Sequence, residues 1–242
     1  MEFCPVCETR LVGGVCRQCN PVDFQELPYK RWLTWMKSQY AAGHIVGPYS
    51  CDIYYPTKWE DHSLPFSQNI IRAKQGNKEA VNYLCEKMYD YLLQHESLID
   101  DVEIIVPVPN QKRVLKDATL IAEEFAKIIR ERVRKNIRSS NIILERVAKS
   151  DPYRKTSSHA DKYNSSLQDY KVNKKLKEYM LKNGVKNILK NKKILLIDDI
   201  ITSGITIGVC ANLLLQLGAK RVIMFCVGRT YGASQSYFFP GT

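Results

Sequence analysis

Residues 194–206 constrain the fold of this chain more than any other stretch. Residues 194–197 are an unbroken apolar run, which is typical of a central strand in a parallel sheet with both faces covered. Asp198 and Asp199 follow directly. Ligands of open α/β sheets bind at the carboxyl ends of the strands, so the two carboxylates stand where a ligand site is expected.

A turn rich in hydroxyl groups comes after the two acids. It consists of Thr202, Ser203, Gly204, Ile205 and Thr206. An apolar helix is expected from about residue 207 to residue 217, and backbone N–H groups at such a helix start bind anions of phosphate size. The alternative is an ordinary connection in which Thr202 or Ser203 is the helix N-cap and Asp199 a solvated acid. The order of strand, acids and hydroxyl-glycine turn favours the phosphate site.

Four cysteines near the start of the sequence form two Cys-x-x-Cys pairs. They are Cys4, Cys7, Cys16 and Cys19. This spacing is that of a four-thiolate zinc knuckle, and so short a segment has no core without the metal. The alternatives are two disulfides or four unrelated thiols. No apolar stretch long enough for a signal peptide follows Met1, so we expect a reducing, cytoplasmic location and hence a structural zinc ion.

Together the two motifs resemble those of the ComF family of competence-associated proteins, which join an N-terminal zinc finger to a type I phosphoribosyltransferase-like domain. Residues 66–93 are similar to two family helices, with Lys74 and Gly76 at the turn between them. Residues 104–109 resemble the family's strand with its Pro-Val-Pro ending. The resemblance spans most of the chain, but it is specific only at the finger, this loop and residues 194–206.

The resemblance implies a site for phosphoribosyl pyrophosphate (PRPP) or a related nucleotide ligand. Asp198 and Asp199, the candidate catalytic residues, would face the ribose 2′ and 3′ hydroxyls, and residues 202–206 would hold the 5′-phosphate. Magnesium would bridge ribose hydroxyls and pyrophosphate. The pyrophosphate loop would consist of Val108, Pro109 and Asn110. The plain alternative for that loop is a strand ended by prolines.

Two regions depart from the family pattern. The block Arg-Gly-Phe-Asn-Gln, which many members carry after Pro-Val-Pro, is missing from residues 111–119. A second family region has only a faint counterpart in residues 156–170, where Asn164 is the nearest remnant. His159 and Lys155 belong to a polar loop where related enzymes have a mobile lid. Transferase activity therefore does not follow from the PRPP motif alone.

Alternating strands and helices predict an α/β fold with a doubly wound, mainly parallel sheet. The expected elements are helices over about 67–95, a strand at 103–107, a helix over 114–135, a strand at 141–145 and, after an irregular loop, strand, helix and strand. The predicted domains are a zinc finger at 1–22, an aromatic linker or hood at 23–65 with a helix at 29–40, and a phosphoribosyltransferase-like domain at 66–242. The other cysteines are expected in the core. No membrane-spanning run is seen.

Charge adds a further hypothesis, because 36 Lys and Arg against 25 Asp and Glu give a net charge of +11. The excess is concentrated at residues 130–138 and at residues 171–193, which hold nine lysines and one acid. Basic stretches favour polyanions such as nucleic acid. A lysine run on a helix is nevertheless more often a solvated face.

Three functions are consistent with these observations. The first is a magnesium-dependent phosphoribosyltransferase with an unknown acceptor. The second is a protein that senses PRPP or a nucleotide without chemistry and acts with a helicase or another partner in DNA uptake. The third is a protein that binds single-stranded DNA through the finger and the lysine-rich stretch. We rank them in this order.

Overall fold

The computed structural model describes residues 45–55, 63–95, 98–109, 117–133, 136–147, 168–202 and 204–230. The strands are β1 (Ile45–Tyr54), β2 (Ile104–Pro107), β3 (Arg138–Ser139), β4 (Leu144–Arg146), β5 (Tyr170–Val172), β6 (Lys193–Ile201) and β7 (Arg221–Thr230). Five of them form a sheet in the order β1-β7-β6-β2-β3, in which every neighbouring pair is parallel. β4 and β5 pair antiparallel beside it.

Helices cover both faces of this sheet. In the described part of the chain they are α1 (Pro65–Lys74), α2 (Lys78–Leu93), α3 (Asp117–Val133), α4 (Lys174–Lys182) and α5 (Ile205–Gln216). The α1–α3 layer packs on one face through side chains such as Ile70, Leu84 and Phe125. The α5 layer, which includes β4 and β5, packs on the other through Val209 and Leu214. The α/β fold with a mainly parallel, doubly wound sheet is therefore confirmed.

The chain path creates a switch point between β2 and β6. From β2 it passes through α3, in the α1–α3 layer, to β3 at one side of the sheet. From β6 it passes through α5, on the opposite face, to β7 at the other side. Adjacent parallel strands whose connections leave in opposite directions open a crevice at their carboxyl ends, and such crevices bind ligands.

The first strand differs from the sequence-based expectation, since residues 45–54 were assigned to the aromatic linker. They form β1, a ten-residue edge strand paired with β7. The Gly-Pro dipeptide at 47–48 disguises this strand, because such a pair normally marks a turn. Here Gly47 has a φ of 94° and the pairing register shifts between Val46 and Tyr49. A proline is tolerated at such an irregularity in an edge strand.

The region from 138 to 182 also differs from expectation. The strand predicted at 141–145 is β4, outside the main sheet, and the two-residue β3 takes the edge position instead. β5 and α4 were not predicted as separate elements. A strand as short as β5 has too few residues for a periodic pattern, so the sequence does not reveal this strand. The helices at 65–93 and 117–133 and the strand β2 agree with the prediction.

Several predictions lie outside the described residues. These are the zinc finger, the helix at 29–40 and the loop at 150–166. Of the other cysteines, Cys85, Cys210 and Cys226 are buried and Cys51 is half-buried, which agrees with their expected place in the core. None of the described helices is long and apolar enough to cross a membrane.

Candidate ligand site at the carboxyl edge of the sheet

The strand β6 extends further than β2, its neighbour on one side. Pairing between them ends at Pro107 and Ile197, and Val108 N donates to the Ile197 carbonyl oxygen at 2.8 Å. Pairing with β7 continues to Ile201. The acids therefore lie within β6 instead of after it, because the long strand β7 continues to pair with β6 beyond them. From Asp198 onwards, the edge of β6 towards β2 faces the crevice.

Asp198 and Asp199 are held by their own backbone. Asp199 N donates to Asp198 Oδ1 at 3.0 Å, and Ile200 N donates to Asp199 Oδ1 at 2.7 Å. Asp198 lies close enough to Cys210 and Tyr170, in the α5 layer, to influence their pKa values. Asp199 is approached from the α1–α3 layer. The two carboxylates are thus fixed at the crevice and exposed to groups from different layers.

Lys74 is the site residue that sequence reasoning did not assign a role. Its Nζ lies 2.6 Å from Asp199 Oδ2, with side chains 37% and 18% exposed. The lysine is the last residue of α1, and the only sequence signal was its place before the turn at Gly76. The contact joins parts of the chain that are far apart in sequence, so spacing alone cannot reveal it.

The hydroxyl-rich turn leads directly into α5. Gly204 is the N-cap of this helix, with a φ of 74° and no side-chain cap hydrogen bond. The alternative with Thr202 or Ser203 as the N-cap is therefore wrong at Thr202, while Ser203 lies outside the described residues. A positive φ favours glycine and lets the backbone N–H groups of the first helical turn approach a ligand closely. Thr202 Oγ1 lies 3.0 Å from Thr230 Oγ1, and the Ile205 side chain is buried.

Thr206 is tied to a polar group in the α5 layer. Its side chain shares a hydrogen bond with Tyr170, and the Arg146 guanidinium lies 5.2 Å from the centre of the tyrosine ring. Burial raises the pKa of Tyr170, and the nearby arginine only partly opposes this shift, so the phenol keeps its proton. Arg146 Nη2 also lies 3.8 Å from Asp169 Oδ2. The β4–β5 pair therefore contacts the start of α5 through the hydrogen bond between Tyr170 and Thr206.

The resemblance implies that the turn before α5 binds PRPP. On that expectation, we predict that Tyr170→Phe weakens PRPP binding about three- to tenfold while changing the free energy of unfolding by about 1 kcal/mol, because one hydrogen bond of this kind is lost. Calorimetric titration and urea unfolding measure the two quantities. Tyr179→Phe is the matched control, since Tyr179 lies on α4 with 54% of its surface exposed. Equal affinity in both variants would show that Tyr170 does not position the turn.

The described residues of the Pro-Val-Pro loop offer no free backbone N–H group to a ligand. The Val108 side chain is buried in the α5 layer, and its N–H is already bonded to Ile197. Proline has no N–H, so Pro109 cannot donate either. Asn110 lies outside the described residues. Any backbone N–H of this loop that binds pyrophosphate must therefore come from residues after Pro109.

Neither cysteine beside the acids is a nucleophile. Cys210 and Cys226 are buried, and burial, reinforced by Asp198, raises the pKa of both thiols well above the ordinary value. Since the thiolate is the reactive form, these side chains act as apolar groups. Within the described ranges, no three or more His, Cys, Asp or Glu side chains are grouped so as to hold a metal ion.

Many of the basic residues make internal contacts. Arg130 donates to the Ile137 carbonyl at 2.9 Å, and Arg132 Nη1 donates to Glu86 Oε2 at 2.7 Å. Lys192 and Lys193 form ion pairs with Glu103 and Asp101, respectively, at the opposite end of β6. The remaining lysines of the 171–193 stretch are exposed. They are Lys171, Lys174, Lys175, Lys177, Lys182, Lys186 and Lys190.

Residues 116–233 match the family model of the phosphoribosyl transferase domain. The matched range contains both acids, the turn and α5, which form one part of the candidate ligand site. This stretch of the chain is therefore similar to a phosphoribosyl transferase domain. The match leaves out β1, α1, α2 and β2, and with them Lys74. No curated protein matches the chain.

Proposed function

We propose that the crevice between β2 and β6 binds PRPP with magnesium and that the chain transfers the phosphoribosyl group to an acceptor. The observation that carries this proposal is the open edge of β6 at Asp198, which lies beside the Gly204 start of α5 within the phosphoribosyl transferase domain. Asp198 and Asp199 bind the ribose hydroxyls. Residues 202–206 hold the 5′-phosphate.

The donor atoms at the crevice suit magnesium. Asp198 and Asp199 offer hard carboxylate oxygens, and magnesium in polyphosphate sites is typically held by one or two carboxylates together with phosphate oxygens and water. When bound, the ion supplies charge neutralisation for the pyrophosphate leaving group. The residues of this chain then contribute by positioning the ribose and excluding competing geometries. A protein nucleophile is not required, in keeping with the protonated state of Cys210 and Cys226.

The wider context of the proposal rests on the resemblance to the ComF family. By this resemblance, the protein is cytoplasmic and its four N-terminal cysteines hold zinc. It acts in natural competence together with a DNA-uptake helicase. The missing block after Pro109 favours the variant of this proposal in which the site senses PRPP or a nucleotide without transfer. The two versions differ only in whether bound PRPP is consumed.

The test is calorimetric titration of PRPP into the zinc-loaded protein, with magnesium and again with EDTA, followed by assay of pyrophosphate release with a panel of bases, amines and phosphate acceptors. Magnesium-dependent binding with pyrophosphate release supports transfer. Binding without release across the panel supports sensing. Absence of binding to the folded protein contradicts both.

A second candidate function is contact with single-stranded DNA through α4. This helix has no buried side chain, and it presents lysines beside Tyr179 and Leu181, which are 54% and 83% exposed. Cations with an interspersed aromatic side chain suit a phosphate backbone with stacked bases.

We predict that replacing Lys174, Lys175 and Lys177 together by Gln lowers affinity for an oligonucleotide at least about tenfold at low salt and reduces the slope of affinity against salt, because phosphate contacts are lost. Fluorescence anisotropy across a salt series measures both. Replacing Lys78, Lys87 and Lys127 by Gln removes equal charge from the α1–α3 layer as the control. Equal loss in the two triple variants would mean that the binding reflects only net charge.

A further inference from the structure

Lys74 reaches the candidate ligand site from outside the matched domain. The ion pair with Asp199, at 2.6 Å, is partly shielded, since the carboxylate side chain is only 18% exposed. The ammonium group is more accessible than its partner, with 37% of the lysine side chain exposed. A cation is therefore placed at the crevice before any ligand arrives.

The position of Lys74 is fixed by the structure around it. Ile70 and Ala73, on the same helix, are buried in the α1–α3 layer. The helix ends immediately afterwards, where Gly76 has a φ of 82° and its N–H donates to the Ala73 carbonyl at 2.8 Å. A lysine at a helix C-terminus is also stabilised by the helix dipole, so a purely structural role is the competing explanation.

We infer that Lys74 is an anion-binding residue of this site and that it contacts the pyrophosphate end of PRPP. The inference rests on the proposed function. The turn before α5, which holds the 5′-phosphate in the proposed function, adjoins the α5 layer, whereas Lys74 comes from the α1–α3 layer on the other face of the sheet. PRPP carries negative groups at both ends of its ribose. Two anion-binding elements in opposite layers match such a ligand.

The ion pair between Lys74 and Asp199 predicts that removal of the lysine changes the affinities for cations and for PRPP in opposite directions. In the ligand-free protein Lys74 neutralises Asp199, so removing the ammonium group leaves a more negative crevice. A divalent cation should then bind more tightly by itself, by about three- to tenfold. PRPP should bind at least about tenfold more weakly in saturating magnesium, because a charge-assisted contact is lost. A role limited to helix packing does not predict changes of opposite sign, and a greater loss for pyrophosphate than for ribose 5-phosphate separates direct contact from neutralisation of Asp199.

The experiment compares Lys74→Met with Arg72→Met. Arg72 is also in the last turn of α1, but it pairs with Glu79 at 3.5 Å on the exposed side, so its replacement removes the same charge from the same helix end. Electron paramagnetic resonance measures manganese binding without ligand. Calorimetry measures PRPP, inorganic pyrophosphate and ribose 5-phosphate, each in saturating magnesium. Thermal unfolding checks that both variants are folded.

The expected result is that Lys74→Met tightens manganese binding, weakens PRPP and pyrophosphate, and leaves ribose 5-phosphate within about twofold. Arg72→Met should leave all four unchanged within the same margin. Unaltered PRPP affinity in Lys74→Met, or an equal loss in both variants, overturns the role of Lys74 while leaving the proposed function standing. Failure of the folded wild-type protein to bind PRPP overturns both.

Discussion

Replacing both acids of the candidate site, as Asp198→Asn with Asp199→Asn, is expected to reduce PRPP affinity at least about 100-fold. Charged hydrogen bonds contribute about 1.5–3 kcal/mol each, and the carboxylates are also the proposed magnesium ligands. The asparagine amide oxygens can still accept the backbone bonds from Asp199 N and Ile200 N, so the strand should stay intact. Calorimetry in saturating magnesium measures the affinity, and thermal unfolding measures the stability.

The control for this variant lies before β2, near the opposite end of β6. Asp100→Asn with Asp101→Asn removes two exposed carboxylates near the start of β6, where Asp101 pairs with Lys193. We expect this variant to bind PRPP within about twofold of the wild-type protein, because the distance from the crevice allows salt to screen the charges. Retained affinity in the double variant of the site itself would rule out Asp198 and Asp199 as ligand-binding residues.

The largest effect on stability is expected for Phe225→Ala, at about 3–5 kcal/mol of unfolding free energy. Phe225 is 0% exposed in β7, opposite Ile197 of β6, and its ring meets that of Tyr91 edge-on at 5.4 Å between centres. Truncation therefore opens a cavity between the sheet and the α1–α3 layer. Urea unfolding followed by circular dichroism measures the loss.

Phe225→Leu is the matched variant, because it keeps most of the volume and should cost about 1–2 kcal/mol. Any fraction of Phe225→Ala that stays folded at low temperature should bind PRPP normally, since the ring does not face the crevice. A cost below about 1 kcal/mol for the alanine variant would mean that the layer closes around the cavity.

The parts of the fold that sequence reasoning recovered have long, simple patterns. Residues 194–197 are all apolar and lie in the central strand. Ile121, Phe125 and Ile128, which have the three-four spacing of an amphipathic helix, are buried in α3. β1 was missed because Gly47 and Pro48 imitate a turn. β3 and β5 were missed because strands of two and three residues carry no period.

The candidate site was predictable where it is continuous in sequence and not where it is assembled from distant segments. The acids and the turn lie within one short stretch, so the motif points to them together as candidates. The pairing of Lys74 with Asp199 and that of Tyr170 with Thr206 depend on how helices and strands pack. No local rule connects such residues. The assignment of the N-cap to Gly204 instead of Thr202 depends on a backbone angle that sequence alone does not give.

The dependence of β6 on β7 has a consequence for how the protein acquires its ligand. The open end of β6 forms backbone pairs with the later strand up to Ile201 and Arg229, and Thr202 meets Thr230 just beyond. A growing chain therefore cannot complete the crevice until β7 has been synthesised. If the proposed function holds, PRPP stabilises only the finished domain, by about 2.7 kcal/mol when the ligand is at 100 times its Kd. On the same proposal, the supply of PRPP sets how much of the newly made protein stays folded.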